Sequence, residues 1–378
     1  MKNKVKYIII FSILLVIGII SINLFQPNKE QQVKGTIEIF ASEDSYDYLA
    51  ECANNFTKQN EKVLITVTKL EDYSQITSGK QDTKVKNKVV NITQISRSNF
   101  EQLKFNDYVN NDKILNDYAK NFSKYRISQV KDGDNYIGIP LTSRPLALYV
   151  REDMLKTYGY KRADMNTWDD FITIGKDIYN KSNGTVKILN ATGQDYEDLL
   201  DLLTMENMNS DKNVEQIKLD VQTMLTNLKN NNILNLEDGG QFLSRISSIN
   251  GMRELMSLKD ACEWSTGNVP SIKAGTNKFF AAEGDNLVIV NQDSDNEKLV
   301  EKFMTYIITD NDDTVKYVKQ GKFFSSYLNT YASKDIEEQR KNFVGNSPLV
   351  VLSNIEEKAP EISDYDKYTK VRKELRGN

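Results

Sequence analysis

Between Gly35 and Ile308 the apolar residues switch repeatedly between a period of two and a period of three to four. A chain patterned that way folds as alternating strands and helices. Thr36-Ile-Glu-Ile-Phe40 alternates and is β-rich, Leu49, Cys52, Ala53 and Phe56 recur at helical spacing within Ser45 to Lys58, and Val63 to Thr68 is a second β-rich run. These make a β-α-β unit. Its first loop, Ala41 to Ser45, lies at the carboxyl end of a strand, the edge where open α/β sheets bind ligands. Val89 to Thr93, Tyr136 to Pro140, Leu146 to Val150, Val186 to Leu189 and Leu287 to Val290 also read as strands. Phe100 to Tyr108, Asp117 to Tyr125, Tyr196 to Met205, Val214 to Leu228 and Leu299 to Ile308 read as helices. Asn166-Thr-Trp-Asp-Asp170 opens a further helix to about Tyr179, with Thr167 as N-cap and Asp170 approximating a capping box.

The start of the chain has a different character. Lys2, Lys4 and Lys6 precede Tyr7 to Phe25, whose only polar members are Ser12, Ser21 and Asn23. A spanning helix needs about 20 mostly apolar residues, whereas a cleaved signal has a shorter apolar region and small residues at the cut. Ile22 to Pro27 offers no such site and no cysteine follows to accept a lipid, so an uncleaved anchor is expected over a cleaved signal. The expected layout is a basic cytoplasmic end (1–6), a transmembrane anchor (7–25) and a polar tether (26–34). On the positive-inside rule the rest of the chain lies outside the cell, giving a single-pass protein of the cell membrane with an extracellular C-terminal domain.

Composition narrows the chemistry. At 378 residues the chain exceeds the ~250–300 at which one core stops growing, so two lobes are expected. There is no histidine, which removes Ser-His-Asp and Cys-His nucleophiles and imidazole zinc sites. Lys and Arg number 49 against 53 Asp and Glu, with no basic block, so nucleic acid is not an expected partner. No P-loop or dinucleotide glycine motif appears, and Asp293-Ser-Asp295 lacks the glycine and terminal Glu of an EF-hand. No enzyme, cofactor or metal is expected. Cys52, on the apolar face of its helix, reads as a small core hydrophobe, and nothing supports pairing it with Cys262.

Several strings, in order, resemble the extracellular solute-binding proteins of ABC importers, in the carbohydrate group that includes maltodextrin-binding protein. They are Gly35 to Asp44 with Leu49 to Lys58, Asp132 to Pro140 with Leu146 to Leu155, Asn166 to Phe171, Ile249-Asn-Gly251 with Trp264 to Pro270, and Ala282 to Val290. The resemblance implies an α/β, two-lobed periplasmic-binding-protein-like fold with crossover hinge strands. It places one lobe at 35–143 and 268–318 and the other at 144–267 and 319–378. It also implies a monomer that closes on a small-molecule ligand and presents it to an ABC permease.

The same resemblance marks candidate ligand residues, each with a plainer alternative. Glu43 and Asp44 match acceptors for substrate hydroxyls, or serve as N-terminal charges on the next helix. Gln94, with Ser96, lies at the same sheet edge, or caps the following helix. Arg144 sits at the crossover, where its guanidinium would suit a carboxylate, a phosphate or vicinal hydroxyls, or would bridge the lobes to Glu43 or Asp44. Arg253 falls where a stacking tryptophan is usual, or is simply solvated. Trp264 would stack a sugar ring, or belongs to the core, as Trp168 is expected to. Tyr196 matches the second lobe's ligand loop. Glu283, with Asp285, replaces small residues of a Gly-rich segment. Two arginines in a cleft predict a compact ligand bearing acceptors, ideally an anionic group.

The function this implies is capture of a small solute, a sugar or sugar derivative, for an ABC importer by a membrane-anchored binding protein. The alternative is a membrane-tethered sensor or envelope interaction protein that uses the same fold.

Overall fold

The computed structural model describes residues 33–70, 77–78, 83–85, 88–103, 110–208, 211–291 and 295–376. In chain order, Gly35–Ala41 (β1), Glu43–Gln59 (α1), Val63–Lys69 (β2) and Ile92–Ser96 (β3) open the first lobe, which Ile139–Pro140 (β4) later joins. Thr142–Pro145 (β5) crosses to the second lobe. There Ala147–Arg151 (β6), Trp168–Lys181 (α2), Val186–Asn190 (β7), Gly193–Met208 (α3), Val214–Asn230 (α4), Leu234–Asn235 (β8), Gln241–Ser247 (β9), Ile249–Ser257 (α5) and Trp264–Asn268 (β10) follow. Ala281–Ala282 (β11) crosses back to Asp285–Ile289 (β12), Glu297–Thr309 (α6) and Asn311–Lys319 (α7). Phe324–Ser325 (β13) is the third crossing, before Pro348–Lys358 (α8) and Tyr365–Arg376 (α9).

Each lobe is built on a five-stranded sheet, in the orders β2-β1-β3-β12-β4 and β8-β7-β9-β6-β10. The expected β-α-β unit is present, with β1 parallel to both β2 and β3. In the second sheet, Leu146, Leu148 and Val150 face a core with α2, α3 and α4, while Ala147 and Tyr149 face the other way, against Ile249, Phe343 and Leu352. All five residues are apolar, so the strand is buried on both faces. The three crossings pair with one another as a small antiparallel sheet, β11-β5-β13, with Arg144 opposite Ala282 and Thr142 opposite Ser325. Gly284 lies so close to β5 that a Cβ there would come within 2.1 Å of the Thr142 carbonyl oxygen, which is why this turn needs glycine.

Several expectations change. Asp117 to Tyr125 is not one helix: Asp112–Tyr118 ends in a 3₁₀ turn, and a new helix, Lys124–Gln129, starts where the Ser123 side chain accepts from the Arg126 N–H. Arg97–Leu103 is 3₁₀, and residues 104–108 of the expected helix lie outside the described residues, as do 292–294 of the acidic loop. Val269 and Phe280 pack in the second lobe's core, so the return to the first lobe falls at β11 rather than at 268. Within 319–378, α8 joins the cluster that contains the first lobe's core, and only α9 belongs wholly to the second. The single-pass localisation is also corrected: among the described residues no helix is long and apolar enough to cross a membrane. The expected anchor, residues 7–25, lies outside them, with 1–6 and 26–32.

Candidate functional site

Where the three crossings meet the two lobes, a cleft of about 250 Å³ opens. Its walls come from the N-terminus of α1 (Ser42, Asp44, Ser45), the end of β3 (Ser96), the first crossing (Thr142, Ser143, Arg144), the N-terminus of α5 (Ile249, Asn250), the second crossing (Glu283, Gly284, Asp285) and the third (Lys322, Phe323, Phe324). The cleft opens at the sheet edge that the sequence points to, and five of its residues, Ser42, Ser45, Ser96, Thr142 and Ser143, carry hydroxyls.

Of the candidate residues, Asp44, Arg144 and Glu283 are brought together here. Glu43 is not. It points to solvent and pairs with Lys69 at 2.7 Å. Gln94 is fully buried and acts as a clamp, its Nε2 donating to Asp285 Oδ2 (2.7 Å), Ser42 Oγ (2.7 Å) and Ser45 Oγ (3.2 Å), while its Oε1 accepts from the Ser42 N–H. It positions the cleft wall rather than facing a ligand. Tyr196 packs against the second lobe's core, and Arg253 lies against Gly321, outside the lining.

Trp264 is 2 % exposed, wedged between Phe242 and the Arg151 guanidinium, so its ring belongs to the core and not to the cleft. Trp168 is core as expected, and its Nε1 donates to both oxygens of Glu206.

Arg144 also differs from its expected role. Its guanidinium forms a short ion pair with Asp198 and lies 3.9 Å from Asp201, both buried on α3, and not with Glu43 or Asp44. Burial opposes the charge, but the two carboxylates win and hold Arg144 above its ordinary pKa. The pair is one rung of a ladder. Asp195, Asp198 and Asp201 recur every third residue along one face of α3, and meet Arg245 (2.6 Å), Arg144 and Arg372 (2.5 Å) from β9, β5 and α9. Acids at that spacing inside a leucine-rich helix were the available sequence signal, since buried carboxylates need partners.

Beneath the cleft, the fully buried Arg126 donates to the Asp285 carbonyl oxygen (2.9 Å), Asn286 Oδ1 (2.6 Å) and Ser326 Oγ (3.3 Å). Glu356 accepts from Ser123 Oγ and Ser143 Oγ, both at 2.5 Å. The crossings are thus tied to one another underneath, whereas the acids on the cleft face are lightly held. Glu283 accepts from the Ser98 N–H at 2.6 Å, Asp285 from Gln94, and burial pushes both carboxyls up. Lys322, Asn250 and the two phenylalanines were not anticipated. Nothing local in sequence marks the third crossing, which forms only when β13 pairs with β5.

Among the described residues, one set could share a metal ion, Cys52, Asp310 and Asp313. Both cysteines are free, but burial raises the Cys52 thiol pKa and keeps it protonated. Asp310 caps α7 through the Asp313 N–H, and Asp313 accepts from Asn55 at 2.7 Å, so the set serves packing.

A family model described as "Bacterial extracellular solute-binding protein" matches residues 51–344. A lactose-binding protein of Rhizobium radiobacter is 36% identical over 72 residues, 18% of this chain and 17% of that relative, so the match spans about a sixth of the relative's length. Among solved structures, the sugar-binding protein MalE of Xanthomonas citri superposes with a TM-score of 0.68 at 12% identity, covering 89% of this chain and 90% of that one. UgpB of Mycobacterium tuberculosis, solved with glycerophosphocholine, gives 0.62 at 9% identity, covering 91% and 98%.

Proposed function

Because the chain belongs to the bacterial extracellular solute-binding proteins, we propose that it captures a small hydroxylated solute, a sugar or sugar derivative, between its lobes and presents it to the permease of an ABC importer. The observation that carries this reading is the cleft itself, lined by side chains from both lobes and all three crossings. Ligand that touches both walls binds best when they are close together, so binding shifts the population towards a closed form that a permease can recognise. No bond in the solute changes. The sugar-binding relatives support the solute class, and the cleft's size supports a compact one, since pockets for drug-sized ligands run to about 300–1,000 Å³.

A thermal-shift screen of the full-length protein against mono- and disaccharides and their derivatives tests this. A ligand at 100 times its Kd stabilises by about 2.7 kcal/mol, and a shift of that order with a subset of sugars is expected. No shift with any sugar at millimolar concentration would sink the reading.

A further inference from the structure

We propose that the solute carries a protonated amine, as an amino sugar does, seated against Asp44, Glu283 and Asp285 of the cleft. This rests on reading the cleft as the solute site, and it reverses the ligand charge that the arginines in the sequence suggest.

The cleft wall holds three carboxylates and two cations. Arg144 is paired with Asp198 and lies near Asp201, two carboxylates to its one charge, so only its longer-range field reaches Asp285. Lys322 forms no ion pair among the described residues, and it lies on the other flank of the central crossing. Glu283 and Asp285 border β11, Lys322 precedes β13, and β5 runs between them, two strand spacings or about 10 Å across. Arg253, the other arginine considered, is outside the lining.

Among the described residues the hydrogen bonds to the two buried carboxyls come from neutral donors, the Ser98 N–H and the Tyr365 hydroxyl to Glu283 and the Gln94 amide to Asp285. Arg126 donates to the Asp285 backbone carbonyl and not to its carboxylate, on which it acts through charge alone while also facing Glu356. Asp44 has no hydrogen-bond or ion-pair partner among the described residues. A half-enclosed site with this surplus of negative charge favours a ligand that brings a cation, and a charge-assisted hydrogen bond is about twice as strong as a neutral one.

A bare metal ion fits less well. Among the described residues, the cleft acids are not among those close enough together to share one ion. The hydroxyls of Ser42, Ser45, Ser96 and Thr142 with the Asn250 amide suit the ring oxygens and hydroxyls of the remainder.

The test is calorimetric titration of the full-length protein with glucosamine, glucose and N-acetylglucosamine, and with the three galactose counterparts. In at least one series the free amine is expected to bind tenfold or more tightly than both neutral members, with an advantage that shrinks as salt rises. In that series Asp44→Asn, at an exposed position, and Glu283→Gln should each bring the three affinities together. Neutral sugars that bind as well as their amines, or a preference untouched by both substitutions, would overturn this inference and leave the solute-binding reading standing. Absence of binding across all six compounds would overturn both.

Discussion

Two sets of three acids flank Arg144 and are treated in opposite ways. Asp195, Asp198 and Asp201 are buried on α3 and each faces an arginine from another element. Asp44, Glu283 and Asp285 line the cleft and are hydrogen-bonded by neutral groups or by none, with Arg126 and Arg144 reaching Asp285 through charge alone. The first set is scaffold. Its charges are answered within the protein, so removing one strands its partner. The second set retains acceptor capacity, which is what a recognition surface needs. The comparison also explains why an arginine in the cleft wall is a poor guide to ligand charge.

The sharpest way to break the comparison is to remove a ladder rung. Asp198→Ala leaves Arg144 with only the more distant Asp201, 3.9 Å away, and should cost about 3 kcal/mol, read as a lower urea midpoint with an unchanged slope. A loss well under 1 kcal/mol would mean the ladder is not scaffold. Arg372→Ala should cost somewhat less, about 2 kcal/mol, because Tyr368 still donates to Asp201 at 2.7 Å. Hydrogen exchange should then show α9 opening before the rest of the second lobe, and uniform protection would contradict that.

Helix α3 also carries its own control. Glu206 has no arginine, only the Trp168 N–H, and burial pushes its carboxyl up to about 8. The folded state therefore keeps a proton that the unfolded chain releases above its ordinary carboxylate pKa near 4.5. The stability this proton contributes is present in acid and is lost as pH rises towards about 8. Thermal unfolding from pH 5 to 9 should show that decline, and Glu206→Gln should flatten it. Parallel profiles for the two proteins would refute the assignment. The smallest effect on stability is expected at Asp44→Asn, which should leave the unfolding midpoint in place while changing ligand affinity. A large drop would move Asp44 from the recognition set to the scaffold.

The fold was largely legible because its evidence is local. The apolar run Leu146 to Val150 marks a buried strand and the stripe Ile217, Val221, Met224, Leu225, Leu228 a buried helix face, and the structure buries all of these but Met224, which is half-buried. The capping box at Thr167 and Asp170 formed as read. The site was legible only where it depends on chain order, as Asp44, Arg144 and Glu283 do. Side-chain direction was not. Trp264 faces the core because β10 pairs with β6 in the register Arg151 to Trp264, and a shift of one residue would turn the ring outward. The partner of Arg144 lies 54 residues away on another element, a separation that no local pattern reports.

Tyr365–Arg376 is the latest-made of the described helices, yet it completes a lobe whose first strand starts at Ala147. At about 5–20 residues per second, the ribosome adds Arg372 on the order of ten seconds or more after Asp201. Throughout that interval the acids at 197 and 201 have no guanidinium from this helix, so the second lobe stays unlatched and its chain remains open to chaperones and to threading. The order of synthesis thus leaves the guanidinium partners of Glu197 and Asp201 on this helix to the last turns of the chain to be made.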